Sequence, residues 1–245
     1  MKKWCIITVT RNSSHIIRQY VDSHINFTSK DTDFYIVDNA SSNRDVLKTL
    51  LGPLESNFRA IVKQRDKNFL FTDSTNLGLE MAFEKEYAYY CIMNPDIFVS
   101  ADWQIKTEEY AKLYPNSGII GFKLVKVDGI LEHAGAFGGG EHRGRGNSMP
   151  DLVFNEAEEI DWVTGACMAF KHSVLRDVGF LDAKKYPHFS SDKEICMRAK
   201  KQGFNTLYVP VKLTHGYGKS SRPYVLNEDL PDNFDVSKIW NKLEV

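Results

Sequence analysis

Asn94, Pro95 and Asp96 close an apolar run that begins at Tyr89, and the chain turns apolar again at once with Ile97, Phe98 and Val99. Such a run reads as a buried strand that delivers Asn94 and Asp96 to a sheet edge. Pro95 has no backbone donor and a fixed φ, so the chain leaves the sheet there with its two neighbours held in one orientation. A carboxylate so placed can hold a hard divalent cation, and the cation can hold a diphosphate. The plainer account is a turn whose Asp caps the next helix. The other polar positions decide between the two.

Asp38 ends another apolar stretch, residues 33–37, ahead of the polar turn Asn39-Ala40-Ser41-Ser42-Asn43. It can accept the ring N–H of uracil or thymine, and of guanine almost as well, or it can close an Asx turn on its own backbone. Residues 67–78, with Asn68 and Asn76, are polar with interspersed aromatics and open a helix whose N-terminus suits phosphate and sugar hydroxyls. Gly165 and Ala166 let a group as large as a sugar ring approach the backbone. Asp192, after Ser190 and Ser191, falls in the first turn of a helix that should stop at Gly203; there the dipole favours its charged form. As structure alone, Asp192 is a cap and Glu194 with Arg198 an i,i+4 pair. His215 lies among glycines and says little by itself.

These residues need strands and turns to bring them together. Residues 3–10 read as a strand, and the polar group Arg11-Asn12-Ser13-Ser14 as the cap of a helix reaching about Phe27. A strand at 33–37, a helix at 44–54 and a strand at 58–62 repeat the unit, which implies parallel strands with right-handed crossovers. Further along, 101–113 reads as a helix, 119–125 as a strand, and 204–209 as a strand ended by Pro210. Ligands bind beyond the carboxyl ends of such strands, where the turns after Thr10, Val37 and Met93 should meet. Periodicity is lost over 127–155, where glycines gather with His133, His142, Arg143 and Arg145. That stretch is expected to be a flexible loop, either a flap over a phosphate-bearing ligand or a solvated basic loop, with a hairpin at Asp128-Gly129.

The totals bound the function. The 245 residues include 31 Lys and Arg against 32 Asp and Glu, a formal charge of −1, so no global field recruits nucleic acid or an anionic membrane. Any anionic substrate must be held by local groups. No apolar run approaches the ~18 residues of a membrane span, and the N-terminus lacks a signal-peptide run. The expectation is a soluble, cytoplasmic protein. Its four cysteines, Cys5, Cys91, Cys167 and Cys196, are far apart and form no C-x-x-C pair, which points to buried free thiols.

In order along the chain, these blocks resemble the family 2 glycosyltransferases of the GT-A fold, especially their rhamnosyltransferase-like members. The likeness runs from Thr8 to about Gly218. It is carried by the strand before Arg11-Asn12, by Val37-Asp38-Asn39-Ala40-Ser41-Ser42, by Asn94-Pro95-Asp96 as an N-P-D form of the D-x-D motif, and by Thr164-Gly165-Ala166-Cys167-Met168. Val178-Gly179-Phe180-Leu181-Asp182, Ser191-Asp192-Lys193-Glu194-Ile195-Cys196-Met197-Arg198, and Tyr208-Val209-Pro210 with His215 complete it.

The resemblance implies a single Rossmann-like α/β domain with a mostly parallel central sheet and helices on both faces. It implies a nucleotide-binding half at 1–100, an acceptor and catalytic half at 101–222, and a C-terminal extension at 223–245 with a short helix. Thr10, Asn12, Asp38, Asn68, Asn76, Asn94 and Asp96 would then serve the donor, a UDP- or dTDP-sugar ahead of a GDP-sugar. Asp96 and His215 would hold Mn²⁺ or Mg²⁺, Gly165, Ala166 and Ser191 would meet sugar or acceptor, and Asp192 would be the base of an inverting transfer to a glycan or lipid-linked acceptor, with peripheral membrane contact open. Two departures stand out. Ser191 replaces the more usual Glu, and Asn94 leaves one carboxylate in the metal motif. They motivate the alternative of a nucleotide- or glycan-binding module without turnover. Nucleotidyl transfer on a similar scaffold would want glycines after the first strand, and Thr10-Arg11-Asn12-Ser13-Ser14 has none.

Overall fold

The computed structural model describes residues 3–216; the C-terminal extension expected at 223–245, and the end of the likeness at Gly218, lie outside the described residues. β1 (Trp4–Thr10), β2 (Thr32–Asp38) and β3 (Arg59–Gln64) are parallel neighbours joined by α1 (Ile17–Phe27) and α2 (Arg44–Asn57). The chain then passes through α3 (Leu70–Phe83) to β4 (Tyr89–Met93), which pairs parallel with the other side of β1. That reversal of strand order opens a crevice at the carboxyl ends of β1 and β4.

The second half begins with β5 (Ile97–Phe98), α4 (Trp103–Leu113), β6 (Ser117–Lys126), β7 (Leu131–His133) and β8 (Glu158–Ile160). It ends with β9 (Cys167–Lys171), α5 (His172–Asp177), α6 (Ser191–Lys201) and β10 (Asn205–His215). β9 runs antiparallel between β4 and β6, and β6 is parallel to β10. The main sheet is therefore β3-β2-β1-β4-β9-β6-β10-β5, mostly parallel, with β7 on β6 and β8 on β10. Because β9 returns against β4, its entry turn reaches the end of β4, where Asn94 N donates to the Ala166 carbonyl at 2.8 Å.

Alternating side chains feed two layers. Ile6, Phe34, Cys91 and Met93 pack with α1, α2 and α4 through Tyr20, Leu51 and Trp103. Ile7, Tyr35, Tyr90 and Ile92 pack with α3, α5 and α6 through Leu79, Val174 and Ile195. Helices thus cover both faces, and strands buried on both sides read as continuous apolar runs. All four cysteines are buried free thiols. No helix among the described residues is long and apolar enough to cross a membrane.

The structure departs from the expected elements at several points. α1 starts at Ile17, not at the polar turn, and has no side-chain cap: the Ser13 carbonyl accepts the N–H of Ile16 and Ile17. Asn12 cannot cap it, because its backbone is left-handed (φ 50°) and its Oδ1 accepts from Ser42 N at 2.8 Å. Pro210 does not end the last strand. β10 continues to His215 through a register shift between Val209 and Lys212, where a residue without an N–H removes no ladder bond. The 127–155 stretch contains β7 after a turn at Asp128-Gly129 and a 3₁₀ turn at Pro150–Leu152; Leu131, His133, Ala134 and Ala136 are buried.

Candidate active site

A cleft of about 380 Å³ lies at the carboxyl ends of β1 and β4, and Asn68, Asn94, Gly165, Ala166, Ser191, Asp192 and His215 are among its lining residues. A depression of about 600 Å³, lined by Trp4, Thr28 and Asp102 among others, is larger but contains none of the residues singled out from sequence. The convergence of polar groups, not size, marks the site.

One wall carries the His215 imidazole, which is backed by a buried carboxylate. Asp96, just past Pro95, is 1% exposed, and neither of its carboxylate oxygens has a hydrogen-bond partner. Gly216 packs against it so closely that a Cβ there would lie 3.0 Å from the Asp96 Cβ. His215, the last residue of β10, brings Nε2 to 3.3 Å from Asp96 Oδ1 without hydrogen-bond geometry. Its Nδ1 lies 2.5 Å from Glu132 Oε2. Burial pulls the His215 pKa down, but the Asp96 and Glu132 carboxylates outweigh it and hold the value at about 9. Burial pushes the Glu132 carboxyl up, and His215 more than reverses that, leaving it below the usual range.

Buried carboxylate oxygens and an imidazole nitrogen with no hydrogen bonds of their own fit a hard or borderline divalent cation. Among the described residues no group of three or more His, Cys, Asp or Glu side chains is arranged to hold a metal ion. A cation here would therefore need oxygens from its ligand.

The facing wall carries Asp192. Gly165 N donates to its Oδ2 and Lys193 N to its Oδ1, both at 2.8 Å. Burial raises the Asp192 carboxyl above its ordinary value, and these N–H bonds limit the rise. Gly165 lies close beneath this carboxylate: a Cβ there would meet the Asp192 Cβ at 3.3 Å, so Asp192 would have to give by a few tenths of an ångström. Ser190, immediately before the helix, is left-handed at φ 65°, a strain that persists only where the surroundings impose it. Ser191 is buried, its Oγ 3.1 Å from Thr72 Oγ1, which ties α6 to α3.

His133 braces the turn that holds Asp192. Thr164 N donates to His133 Nε2 at 3.1 Å, so the His133 proton sits on Nδ1 and is given to His142 Nδ1 at 2.9 Å. Burial keeps both rings neutral, lowering His133 well below its usual value and His142 to about 4. His142 and Arg145 line the cleft. Arg143 instead pairs with Glu158 and stacks over Phe154 and Tyr208.

The third wall comes from the first half. Asp38 is fully buried behind Asn39; its Oδ1 accepts from Ser41 N at 3.0 Å, and its Oδ2 has no hydrogen bond. One oxygen thus closes the turn, and the other faces Arg44 Nε at 3.9 Å. Asn39 Nδ2 donates to Asn68 Oδ1 at 2.7 Å, while Asn39 Oδ1 and Asn68 Oδ1 accept from Phe69 N and Leu70 N. These side chains do for α3 what its own N-cap, Phe69, does not.

Several expected donor residues stand apart from the cleft lining, and the buried Asp38 and Asp96 are among them. Thr10 is buried at the end of β1, Asn12 staples the 38–43 turn through Ser41 and Ser42, and Asn76 uses both ends of its amide on the Leu181 backbone. Sequence reasoning missed Glu132 and gave Asn39 no role of its own. The only signal for Glu132 was an alternation of three residues, buried Leu131 and His133 on either side of it.

A doubly covered, mostly parallel sheet with a strand-order reversal is an open α/β sheet of the kind in which ligands bind at the switch point. Solved structures share this fold. GalNAc-T7 with UDP, GalNAc and Mn²⁺ superposes at TM-score 0.71 and 14% identity, covering 89% of this chain and 44% of that one. The mannosyltransferase PcManGT from Pyrobaculum calidifontis in complex with GDP-Man and Mn²⁺ gives 0.64 and 13%, covering 87% and 56%. S. aureus TarS 1–349 in complex with UDP-GlcNAc gives 0.63 and 16%, covering 87% and 58%. The fold is GT-A.

The chain belongs to glycosyl transferase family 2, whose profile matches residues 5–179. A second profile, glycosyltransferase like family 2, matches 147–228. A curated relative, the uncharacterized protein y4gI of Sinorhizobium fredii (strain NBRC 101917 / NGR234), is 26% identical over 238 residues, 93% of this chain. The chain spans a quarter of that relative's length, 25%, and roughly half of the solved chains above, 44% to 58%.

Proposed function

We propose that this chain is an inverting glycosyltransferase that moves a hexosyl or deoxyhexosyl group from a nucleoside-diphosphate donor to a hydroxyl of a glycan, lipid-linked or protein-linked acceptor. The observation that carries the reading is that Asp192 and His215 line one cleft, with the buried Asp96 packed against His215 and both its carboxylate oxygens without hydrogen bonds. The neighbours crystallised with UDP, UDP-GlcNAc or GDP-Man support a nucleotide-sugar donor.

In this reading Asp192 takes the proton of the acceptor hydroxyl as its oxygen attacks the anomeric carbon, and the bond to the diphosphate oxygen breaks with its electron pair leaving on that oxygen. Base catalysis of this kind contributes about 10²- to 10⁴-fold. Asp38 and the Asn39–Asn68 pair hold the nucleoside end, and Arg145 and His142 face the phosphates. Asp96 and His215 hold Mn²⁺ or Mg²⁺, which supplies Lewis-acid neutralisation of the departing diphosphate. The likeness to rhamnosyltransferase-like members puts deoxyhexosyl donors on dTDP or UDP first in the screen.

The test is to incubate the protein and Mn²⁺ with UDP-, dTDP- and GDP-sugars and read the configuration of the released sugar by NMR at early times, since slow transfer to water reports the same stereochemistry. Inverted product supports the reading, and retained product sinks it. Tight nucleotide binding without turnover of any donor would bring forward the binding module.

A further inference from the structure

We infer that Glu132 is a positioning residue for the metal side of the cleft, holding His215 by Nδ1 so that Nε2 is the nitrogen turned toward Asp96; this rests on the functional reading above. Glu132 Oε2 lies 2.5 Å from His215 Nδ1, and the two side chains are 16% and 8% exposed. Nδ1, 2.5 Å from the Glu132 carboxylate, is the nitrogen that keeps a proton when the ring binds a metal, so a cation would take Nε2, 3.3 Å from Asp96 Oδ1, by displacing the second proton of the imidazolium.

The support is rigid. On β7, Leu131 N donates to the Asn147 carbonyl and His133 is paired with Leu124 of β6, and just past it Ala134 N donates to the Arg143 carbonyl. Glu132 is therefore delivered by an anchored strand rather than by a free loop. Removing its carboxylate leaves a buried Nδ1–H without an acceptor and the ring without a fixed orientation. Carboxylates in this outer position contribute about 10- to 100-fold in metal affinity.

The experiment titrates Mn²⁺ into the full chain, followed by loss of the free-ion EPR signal, in the presence of UDP, dTDP or GDP. Glu132→Ala is expected to weaken Mn²⁺ binding about 10- to 100-fold, while Glu132→Gln, whose amide oxygen accepts the same N–H, restores most of it. In the metal-free protein, a strongly downfield His215 Nδ1 proton should be visible by NMR and vanish in Glu132→Ala. Should Glu132→Ala fail to fold, Glu132→Leu, which fills the space without accepting, replaces it.

Unchanged Mn²⁺ affinity in the Ala or Leu variant overturns the inference alone. Equal losses in Gln and Ala, matched by equal losses of Tm, also overturn it, because they mark a merely structural role. A wild-type protein that binds no Mn²⁺ with any of the three nucleotides sinks the functional reading and takes this inference with it.

Discussion

The two ends of the same sheet treat a buried carboxylate in opposite ways. At the amino end, Asp33 of β2 is 2% exposed, and its Oδ2 lies 2.9 Å from Arg59 Nη1 and accepts from the Tyr87 hydroxyl at 2.6 Å. At the carboxyl end, Asp96 is equally buried, yet both its oxygens lack hydrogen bonds, and so does Oδ2 of Asp38. Burial of a carboxylate is costly unless it is offset, and the two ends offset it differently: Asp33 by hydrogen bonds, Asp96 by the charge of His215 and Asp38 Oδ2 by Arg44 at 3.9 Å. The carboxyl-end oxygens therefore keep hydrogen-bonding capacity that Asp33 has spent.

The largest effect expected from breaking this contrast is on catalysis. Asp192→Asn should lower transfer about 10²- to 10⁴-fold while donor binding, measured calorimetrically, persists. In the wild type the same residue should set the acid limb of kcat/KM against pH. Because burial raises its folded-state pKa, activity should rise over a window above the ordinary carboxyl value of 3.8, and its contribution to folding stability should fall over that window as the proton is lost. An acid limb at or below the ordinary value would assign the base elsewhere.

Next comes stability at the other end of the sheet. Asp33→Ala leaves Tyr87 and Arg59 without their acceptor and should cost about 1–3 kcal/mol in chemical denaturation. Asp96→Asn should cost less and instead abolish metal-dependent nucleotide binding. If the two variants exchange these phenotypes, the contrast between the ends fails. Gly165→Ala sharpens it locally. The added methyl presses on Asp192 and should reduce kcat about tenfold, short of the ~10²-fold that an ångström of misplacement can cost, with KM for the donor little changed. The smallest effect belongs to Ser191→Ala. Loss of the hydroxyl contact to Thr72 Oγ1 should cost about 1 kcal/mol in chemical denaturation and leave the acid limb in place, and a displaced limb would show that Ser191 acts on Asp192 itself.

Much of this was legible because the residues concerned end elements. Asp96 and Asp38 close apolar runs, and Asp192 opens a helix, so local pattern alone put them at one edge. Glu132 was hidden in a stretch where glycines erase periodicity, and its role depends on His215, which is 83 residues away in sequence. Asn76 misled for the converse reason. Its place near a helix start suited a ligand, but a contact to Leu181, 105 residues on, uses its amide. The antiparallel direction of β9 was equally unreadable, since direction is set by long-range pairing and not by residue types within a five-residue strand. Pro210 read as a stop because a proline interrupts a ladder, and only the register of β6 shows that it lies where the ladder is already broken.

That broken register acts as a length gauge. From Thr206 to Val209, β10 residues pair with β6 residues numbered 87 lower, as Val209 with Phe122; from Lys212 on the offset is 89, as His215 with Lys126. The shift takes up two residues, an even number, so side chains beyond it keep their alternation between the faces. What changes is reach. Straightened out, the strand would place Leu213 level with Lys126 and carry His215 about 6–7 Å past the sheet edge, out of range of both Asp96 and Glu132. Insertions or deletions in this strand are therefore not interchangeable with those in surface loops: each would retune how far the histidine extends.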